Sequence, residues 1–275
     1  MDQCLIYDVG LHKGEDTAFY LKLGFNVIAI EANPDLVSLC NQRFAKEIST
    51  HQLRILHGAI TAPHFPKDSI TFYKNDTLSV WGTTEPAWVE RNKVFFGTGS
   101  TEIKVPIIRL DDILRAYGCP YYMKIDIEGA DNFCLEYLQS ANAKPRFLSI
   151  ESTKTDFKKL TEEFNALDNL GYKKYAVVQQ ATIPNSAYKI SHGNLMIEHV
   201  FERDSSGLFG ELLNSPWMDR DVALNEYKWI FKFYTLFGDG TEFIKNVPNN
   251  LVSQMIQKQL GEYLPGWYDT HARLY

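Results

Sequence analysis

Ile6-Tyr7-Asp8-Val9-Gly10-Leu11-His12-Lys13-Gly14-Glu15-Asp16-Thr17 decides how the rest of the chain is read. The apolar run from Cys4 to Val9 has the length of a strand and stops at a glycine. Beyond Gly14, the residues Ala18, Phe19, Leu21 and Leu23 recur at helical spacing, so the stretch reads as strand, tight turn, helix. Glycines in such a turn let backbone approach a nucleotide-like ligand at the edge of an α/β sheet.

Charge narrows the choice of ligand. A dinucleotide site aims bare N–H groups and a helix N-terminus at a pyrophosphate, which a carboxylate would repel. Asp8 stands near the end of the first strand. S-adenosylmethionine carries an ammonium and a sulfonium, so an acid there suits it; the competing reading is an Asp that caps the next helix. The spacing Gly10-x-x-x-Gly14 also lacks the Gly-x-Gly-x-x-Gly of a dinucleotide fingerprint. A second strand, Asn26 to Ile30, ends in Glu31, the position from which an acid hydrogen-bonds a ribose diol. Dinucleotide and methionine-nucleoside enzymes share that acid, so it indicates adenosine without choosing between them. Ala32-Asn33-Pro34-Asp35 then opens a helix, with proline where no N–H is needed.

Composition bounds the rest. A chain of 275 residues, 45% hydrophobic and 13% aromatic, can bury the core of one domain or of one domain plus an extension. A net charge of -6 without any Lys/Arg cluster argues against a nucleic-acid partner. Cys4, Cys40, Cys119 and Cys134 are scattered beside apolar residues with no Cys-x-x-Cys pair, and are expected to be reduced, buried and inert. No apolar run has membrane-spanning length, and the first strand starts too early for a signal peptide, so a cytoplasmic location is expected.

Further along, Leu53 to Leu56 reads as a third strand, followed by His57-Gly58-Ala59-Ile60, either an ordinary turn or the loop whose small residues admit an adenine ring. Ser69 to Tyr73 and Thr101 to Ile108 read as strands around a polar loop, Leu78 to Glu85, that holds Trp81. That tryptophan either closes a core or offers a cation–π face to a sulfonium. Tyr121 to Asp131 reads as a buried strand ending in Asp126 and Glu128, which alternation sends to the same side, then a glycine and the start of a helix running to Leu138. Two acids at a buried strand end are costly unless a positive or protonated group meets them, and a sulfonium ligand is the expected partner. Arg146 to Glu151 repeats the pattern as a fifth strand. With Tyr175 to Val178 and a last strand at Asn194 to Ile197, seven candidate strands follow a βαβ rhythm.

The ordered set DVGLHKGEDT, IAIEANP, MKIDIEGAD and FLSIES, within residues 4–200, resembles the FkbM family of S-adenosylmethionine-dependent methyltransferases. The resemblance implies a class I methyltransferase fold, a Rossmann-like seven-stranded, mostly parallel sheet with one antiparallel strand. It also implies bound S-adenosylmethionine and methyl transfer, usually to a hydroxyl oxygen. By position, Asp8, Gly10 and Gly14 would line the methionine portion, Glu31 the ribose, and Asp126 and Glu128 the region of the transferred methyl. Ser79, Trp81 and Thr83 would lie over the site. His12, Thr17, Asn33 and Ala59 are grouped with the cofactor, and Glu151 with the acceptor.

Residues 1–200 are thus expected to form the cofactor-binding domain, and residues 201–275 a helical extension that caps the cleft or serves as a packing or dimer contact. In that extension Arg203 to Gly210 reads as a loop. Asp219 can cap a helix with Leu224, Tyr227, Phe231 and Tyr234 on one stripe, and Asn250 to Leu260 reads as another helix. The acceptor is expected to be a small molecule or glycan hydroxyl, whose proton must be removed by a nearby base. His12, Asp126, Glu128 and His192 are the candidates, with the acidic pair preferred. Asp126, Glu128 and Glu151 could converge on a divalent ion, but the cationic cofactor already explains them, so no metal is expected. Two other readings are an NAD-dependent oxidoreductase and a catalytically silent module that only binds the cofactor.

Overall fold

A computed structural model describes residues 2–192, 195–238, 255 and 266–275. The strands are β1 (Asp2–Val9), β2 (Asn26–Glu31), β3 (Leu53–His57), β4 (Ala59–Ile60), β5 (Ser69–Asn75), β6 (Ser100–Ile108), β7 (Pro120–Ile125), β8 (Phe147–Ser152), β9 (Lys174–Gln179), β10 (Ala187–His192), β11 (Leu195–Val200) and β12 (Tyr268–Arg273). The helices are α1 (Glu15–Lys22), α2 (Pro34–Arg43), α3 (Ala45–Ser49), α4 (Pro86–Phe96), α5 (Leu110–Tyr117), α6 (Asp131–Ser140), α7 (Phe157–Asn169) and α8 (Arg220–Phe237).

Seven strands form the main sheet in the order β3-β2-β1-β7-β8-β12-β9, parallel except for β12, which runs against both neighbours. The strand order reverses at β1, between β2 and β7, and in such sheets the crevice beyond the carboxyl ends at that point is where ligands bind. One face buries Tyr7, Val9, Ile30, Met123, Ile125 and Ile150 against the helices from α5 to α8. The other face buries Ile6, Val27, Tyr122 and Phe147 against α1 and the stretch 183–217.

Arg203 to Gly210, expected to be a loop, is irregular backbone up to Phe209 and forms part of that second cover. Leu208 and Phe209 are buried, Phe209 stacks on Tyr122 with ring centres 4.6 Å apart, and the Ser206 N–H donates to Asp16 at 2.8 Å. The polar lettering hid a segment whose apolar residues are only its last pair.

The seventh strand is also different from the one expected. Leu195 to Val200 pairs with Ala187 to His192 as a separate hairpin, and the antiparallel strand of the main sheet is Tyr268–Arg273, inside the stretch expected to be a helical extension. A strand buried on both faces normally reads as a run of branched apolar residues. Here Asp269, Thr270 and His271 are buried instead, and the Thr270 hydroxyl is satisfied by Ser152 at 2.6 Å and Tyr227 at 2.7 Å. The sheet therefore closes with a strand from beyond residue 200, so residues 1–200 do not contain the whole sheet. The helix read at Asn250 to Leu260 lies outside the described residues, Met255 apart.

Smaller differences have equally local causes. Asp219 stands at the N-cap of α8, yet its carboxylate accepts from Lys174 Nζ at 2.8 Å and makes no side-chain cap bond. Cys40 and Cys134 are buried as expected, but Cys119 is half-buried and Cys4 exposed. The polar loop around Trp81 is a 3₁₀ turn, Ser79–Trp81, leading into α4, which the sequence reading left out.

Candidate active site

The turn after β1 is built on two glycines in left-handed backbone. At Gly10 φ is 99°, and a Cβ there would sit 1.8 Å from the Asp126 carbonyl oxygen, so only glycine allows β1 and β7 to close at this level. At Gly14 φ is 83°, and a Cβ would meet the Phe44 ring at 2.3 Å. Glu31 ties this turn to the next one. Its Oε2 accepts the His12 N–H at 2.9 Å, and its Oε1 accepts the Asn33 N–H at 2.7 Å. Asn33 itself caps α2, accepting the Asp35 N–H at 3.0 Å. A carboxylate oxygen has two acceptor sites, so Glu31 keeps capacity for a ribose diol.

Asp8 has partners within the chain. It is 0% exposed, its Oδ2 accepts from the Thr17 hydroxyl at 2.6 Å, and Thr17 is equally buried. That hydrogen bond ties the end of β1 to the first turn of α1. The positive partner expected from a ligand is supplied by the chain: Lys124 is Asp8's neighbour in the parallel ladder and shares its face of the sheet. The Lys124 ammonium, 4% exposed, lies 3.7 Å from Asp8, 3.5 Å from Asp16, 3.3 Å from Asp126 and 3.3 Å from the Gly10 carbonyl. Burial would lower its pKa, but the charges of Asp126, Asp8 and Asp16 outweigh this and hold it well above the ordinary lysine value. Burial likewise pushes the Asp8 carboxyl up, against the pull of Lys124. The trace of this cluster in the sequence is a lysine inside an otherwise apolar strand, two residues before an acid.

The acids expected near the transferred methyl do converge. Asp126 follows Ile125, Glu151 follows its ladder partner Ile150, and Glu128 turns back at φ 52°, so that oxygens of all three lie within 4.8 Å of one another. Asp131 shapes the turn between Asp126 and α6 by accepting the Ile127 and Gly129 N–H groups, each at 2.9 Å. The Glu128 carboxyl is pushed well above the usual range by burial, then by the charges of Glu151, Asp126 and Asp131. Burial and the charges of Asp126 and Asp131 likewise push Glu151 up.

The arm from β5 to β6 closes against these acids. The Thr83 hydroxyl donates to the Glu128 carbonyl at 2.7 Å, and Trp88 packs on Gly129 so closely that a Cβ there would fall 2.1 Å from its indole nitrogen. The Trp81 ring is tilted at 36° against that of Phe96, with ring centres 4.7 Å apart. Ser79 Oγ is 2.8 Å from His12 Nε2, while His12 Nδ1 is 3.0 Å from Glu15 Oε1. Both ring nitrogens of His12 are therefore engaged, and it serves as a clasp between the glycine turn and the arm. Burial alone would raise the Glu15 carboxyl; the hydrogen bond and charge of His12 outweigh it, and the net shift is downward. Ala59 is buried in β4 beside the end of β3, and His192 ends β10 in the separate hairpin.

The sequence profile described as the methyltransferase FkbM domain matches residues 8–174, more than half of the chain. The chain belongs to the FkbM methyltransferase family. Among solved structures it is similar to precorrin-6y C5,15-methyltransferase from Geobacter metallireducens GS-15, at 13% identity and TM-score 0.35, covering 72% of this chain and 75% of that one. It is also similar to YcgJ from Bacillus subtilis, at 9% identity and TM-score 0.36, covering 99% and 93% of the two chains. A putative methyltransferase from Bacillus halodurans C-125 matches at 9% identity and TM-score 0.37, over 100% and 94%. No curated relative matches in sequence.

An FkbM methyltransferase uses S-adenosylmethionine, which sets aside the NAD-dependent alternative. The residues present fit that cofactor: a glycine turn after β1, an acid at the end of β2, and carboxylates that converge just beyond β7 and at the end of β8. Among the described residues, no helix is long and apolar enough to cross a membrane.

Proposed function

We propose that this FkbM methyltransferase methylates a hydroxyl oxygen on a small molecule, a sugar or a lipid-linked glycan. The observation that carries the reading is the convergence of Asp126, Glu128 and Glu151 beside the Gly10 turn, where an acceptor would have to meet the donor. S-adenosylmethionine supplies an electrophilic methyl carbon on a sulfonium. The chain's part is to hold an acceptor oxygen in line with that carbon, which is worth up to about 7–11 kcal/mol in well-aligned systems, and to take its proton. Carboxylates accept hydrogen bonds from hydroxyls and so orient the oxygen. Glu128 is the preferred base, because its raised pKa makes its ionised form a stronger proton acceptor than an ordinary carboxylate. Glu31 and the glycine turn would hold the adenosine and methionine portions, with Asp8, Thr17 and Lys124 supporting the turn from beneath. Ser79 and His12 would keep the arm closed over the acceptor.

The test is release of S-adenosylhomocysteine with a panel of alcohols, sugars and glycan acceptors. Turnover should fall at least about a hundredfold in Glu128→Gln, with donor affinity within about threefold of the parent. Transfer to amines or carbon acceptors alone would overturn the hydroxyl assignment. Binding of the donor without turnover on any acceptor, in parent and variant alike, would favour the silent module instead.

A further inference from the structure

We infer that Lys124 is a positioning residue for methyl transfer, its ammonium joining the donor turn at Gly10 to the Asp126 carboxylate on the acceptor side. The inference rests on the reading of Asp126 as an acceptor-side acid, and adds the group that sets where that acid stands.

The ammonium meets four oxygens. Asp8 in β1 and Asp16 in the first turn of α1 hold it from within the core, at 3.7 and 3.5 Å. The other two belong to the site: the ammonium donates to the Gly10 carbonyl at 3.3 Å, and Asp126 Oδ2 is 3.3 Å away. Gly10 follows β1 and Asp126 follows β7, at the carboxyl ends of neighbouring strands. The Lys124 side chain is buried and that of Asp126 is 37% exposed, so Asp126 carries the contact from the core out to solvent. The Asp126 backbone is fixed by its N–H, which donates to the Val9 carbonyl at 2.9 Å. A side chain at a strand end still keeps its rotamer freedom unless a partner holds it. An ammonium anchored by two further acids is such a partner.

Stability does not explain the arrangement. A whole group of buried ions can often be replaced by packed apolar residues without loss, and sometimes with a gain. Apolar side chains already fill this face of the sheet at Ile6 and Tyr122. Burial penalises the ammonium, yet the acids around it keep it charged. A charge retained against that penalty, within reach of both sides of the site, serves their geometry: a displacement of about 1 Å can lower turnover about a hundredfold.

Lys124→Met alone leaves the acids uncompensated, so the test uses a balanced background. Asp8→Asn and Asp16→Asn together remove two of the acids, and each amide oxygen can still accept the bond made by the Thr17 hydroxyl or the Ser206 N–H. This double variant is compared with the triple variant that adds Lys124→Met, after melting curves show that both fold. The triple variant should bind S-adenosylmethionine about tenfold more weakly by calorimetry, because the Gly10 turn loses its tie. At saturating donor its kcat should fall at least about tenfold further, with whichever acceptor the parent methylates, alcohol, amine or carbon. Asp126→Ala should lower kcat strongly in the double variant and by less than about threefold in the triple one. Unchanged donor affinity and kcat in the triple variant would overturn the inference and leave Lys124 a charge-balancing residue of the core. A fall in donor affinity with kcat intact would overturn it too, as would a kcat loss that simply adds to that of Asp126→Ala, since neither passes through Asp126. Transfer to amines or carbon alone would sink the hydroxyl reading without touching this one, and donor affinity is read without any acceptor.

Discussion

Replacing Lys124 by methionine tests the most unexpected feature of the site. The ammonium stands 3.3–3.7 Å from oxygens of Asp8, Asp16 and Asp126. At an effective dielectric of ~20 each such contact is worth roughly 5 kcal/mol of Coulomb attraction, most of it offset by the dehydration of a buried ammonium. Removing the cation leaves the acids uncompensated, for which a net loss of about 3–5 kcal/mol is the general experience. That corresponds to roughly 6–20 °C in Tm for a chain of this size. The loss also depends on pH. Asp8 and Asp16 have folded-state pKa values raised by burial, and without the lysine they rise further. For an acid raised on folding, the stability it contributes is complete below the unfolded-state pKa and is lost as pH climbs through the folded-state value. The Lys124→Met deficit should therefore be smallest near pH 5 and grow toward pH 8, by up to about 1.4 kcal/mol per pH unit for each titrating acid. Urea unfolding of parent and variant at several pH values measures both, with matching m-values as the check on comparability. Adding Asp8→Asn and Asp16→Asn should restore part of the loss. A deficit under about 1 kcal/mol, or one independent of pH, would refute the view that Lys124 balances this cluster.

Three further outcomes are expected. Glu31→Gln places an NH₂ group against the N–H of either His12 or Asn33, costing about 1.5–3 kcal/mol in charge-assisted hydrogen bonding, so S-adenosylmethionine affinity should fall at least about tenfold by calorimetry. Gly10→Ala should abolish donor binding and lower Tm by several degrees, because its Cβ would lie 1.8 Å from the Asp126 carbonyl oxygen at a φ of 99°. Glu163, buried beneath the Ser152 hydroxyl at 2.5 Å, has its carboxyl raised by burial from 4.5 to about 8 despite that hydrogen bond. Its contribution to stability should be complete below pH 4.5 and decline as pH rises to about 8; Glu163→Gln should remove that decline, read as a flatter curve of unfolding free energy against pH.

The sequence by itself determined the strands β1, β2, β3, β7, β8 and β9, the glycine turn and the acids at the strand ends. Each is a local statement: an apolar run of strand length, a residue able to take positive φ, a carboxylate at the last position of a strand. Gly10, Gly14, Glu31, Asp126, Glu128 and Glu151 were legible for that reason. Tertiary structure alone decided where charges find their partners. Asp8 meets Lys124 because β1 and β7 lie side by side in register, although their residues are far apart in the chain. Only folding brings Asp269 opposite Glu151, because β12 enters between β8 and β9 carrying polar residues that no hydrophobic pattern marks. The arm behaves likewise. Ser79 and Trp88 belong to a stretch with little periodicity, and their contacts with His12 and Gly129 follow from packing against a surface that the rest of the chain must build first. Pairing across a sheet depends on strand order and register, and neither is written in the residues that pair.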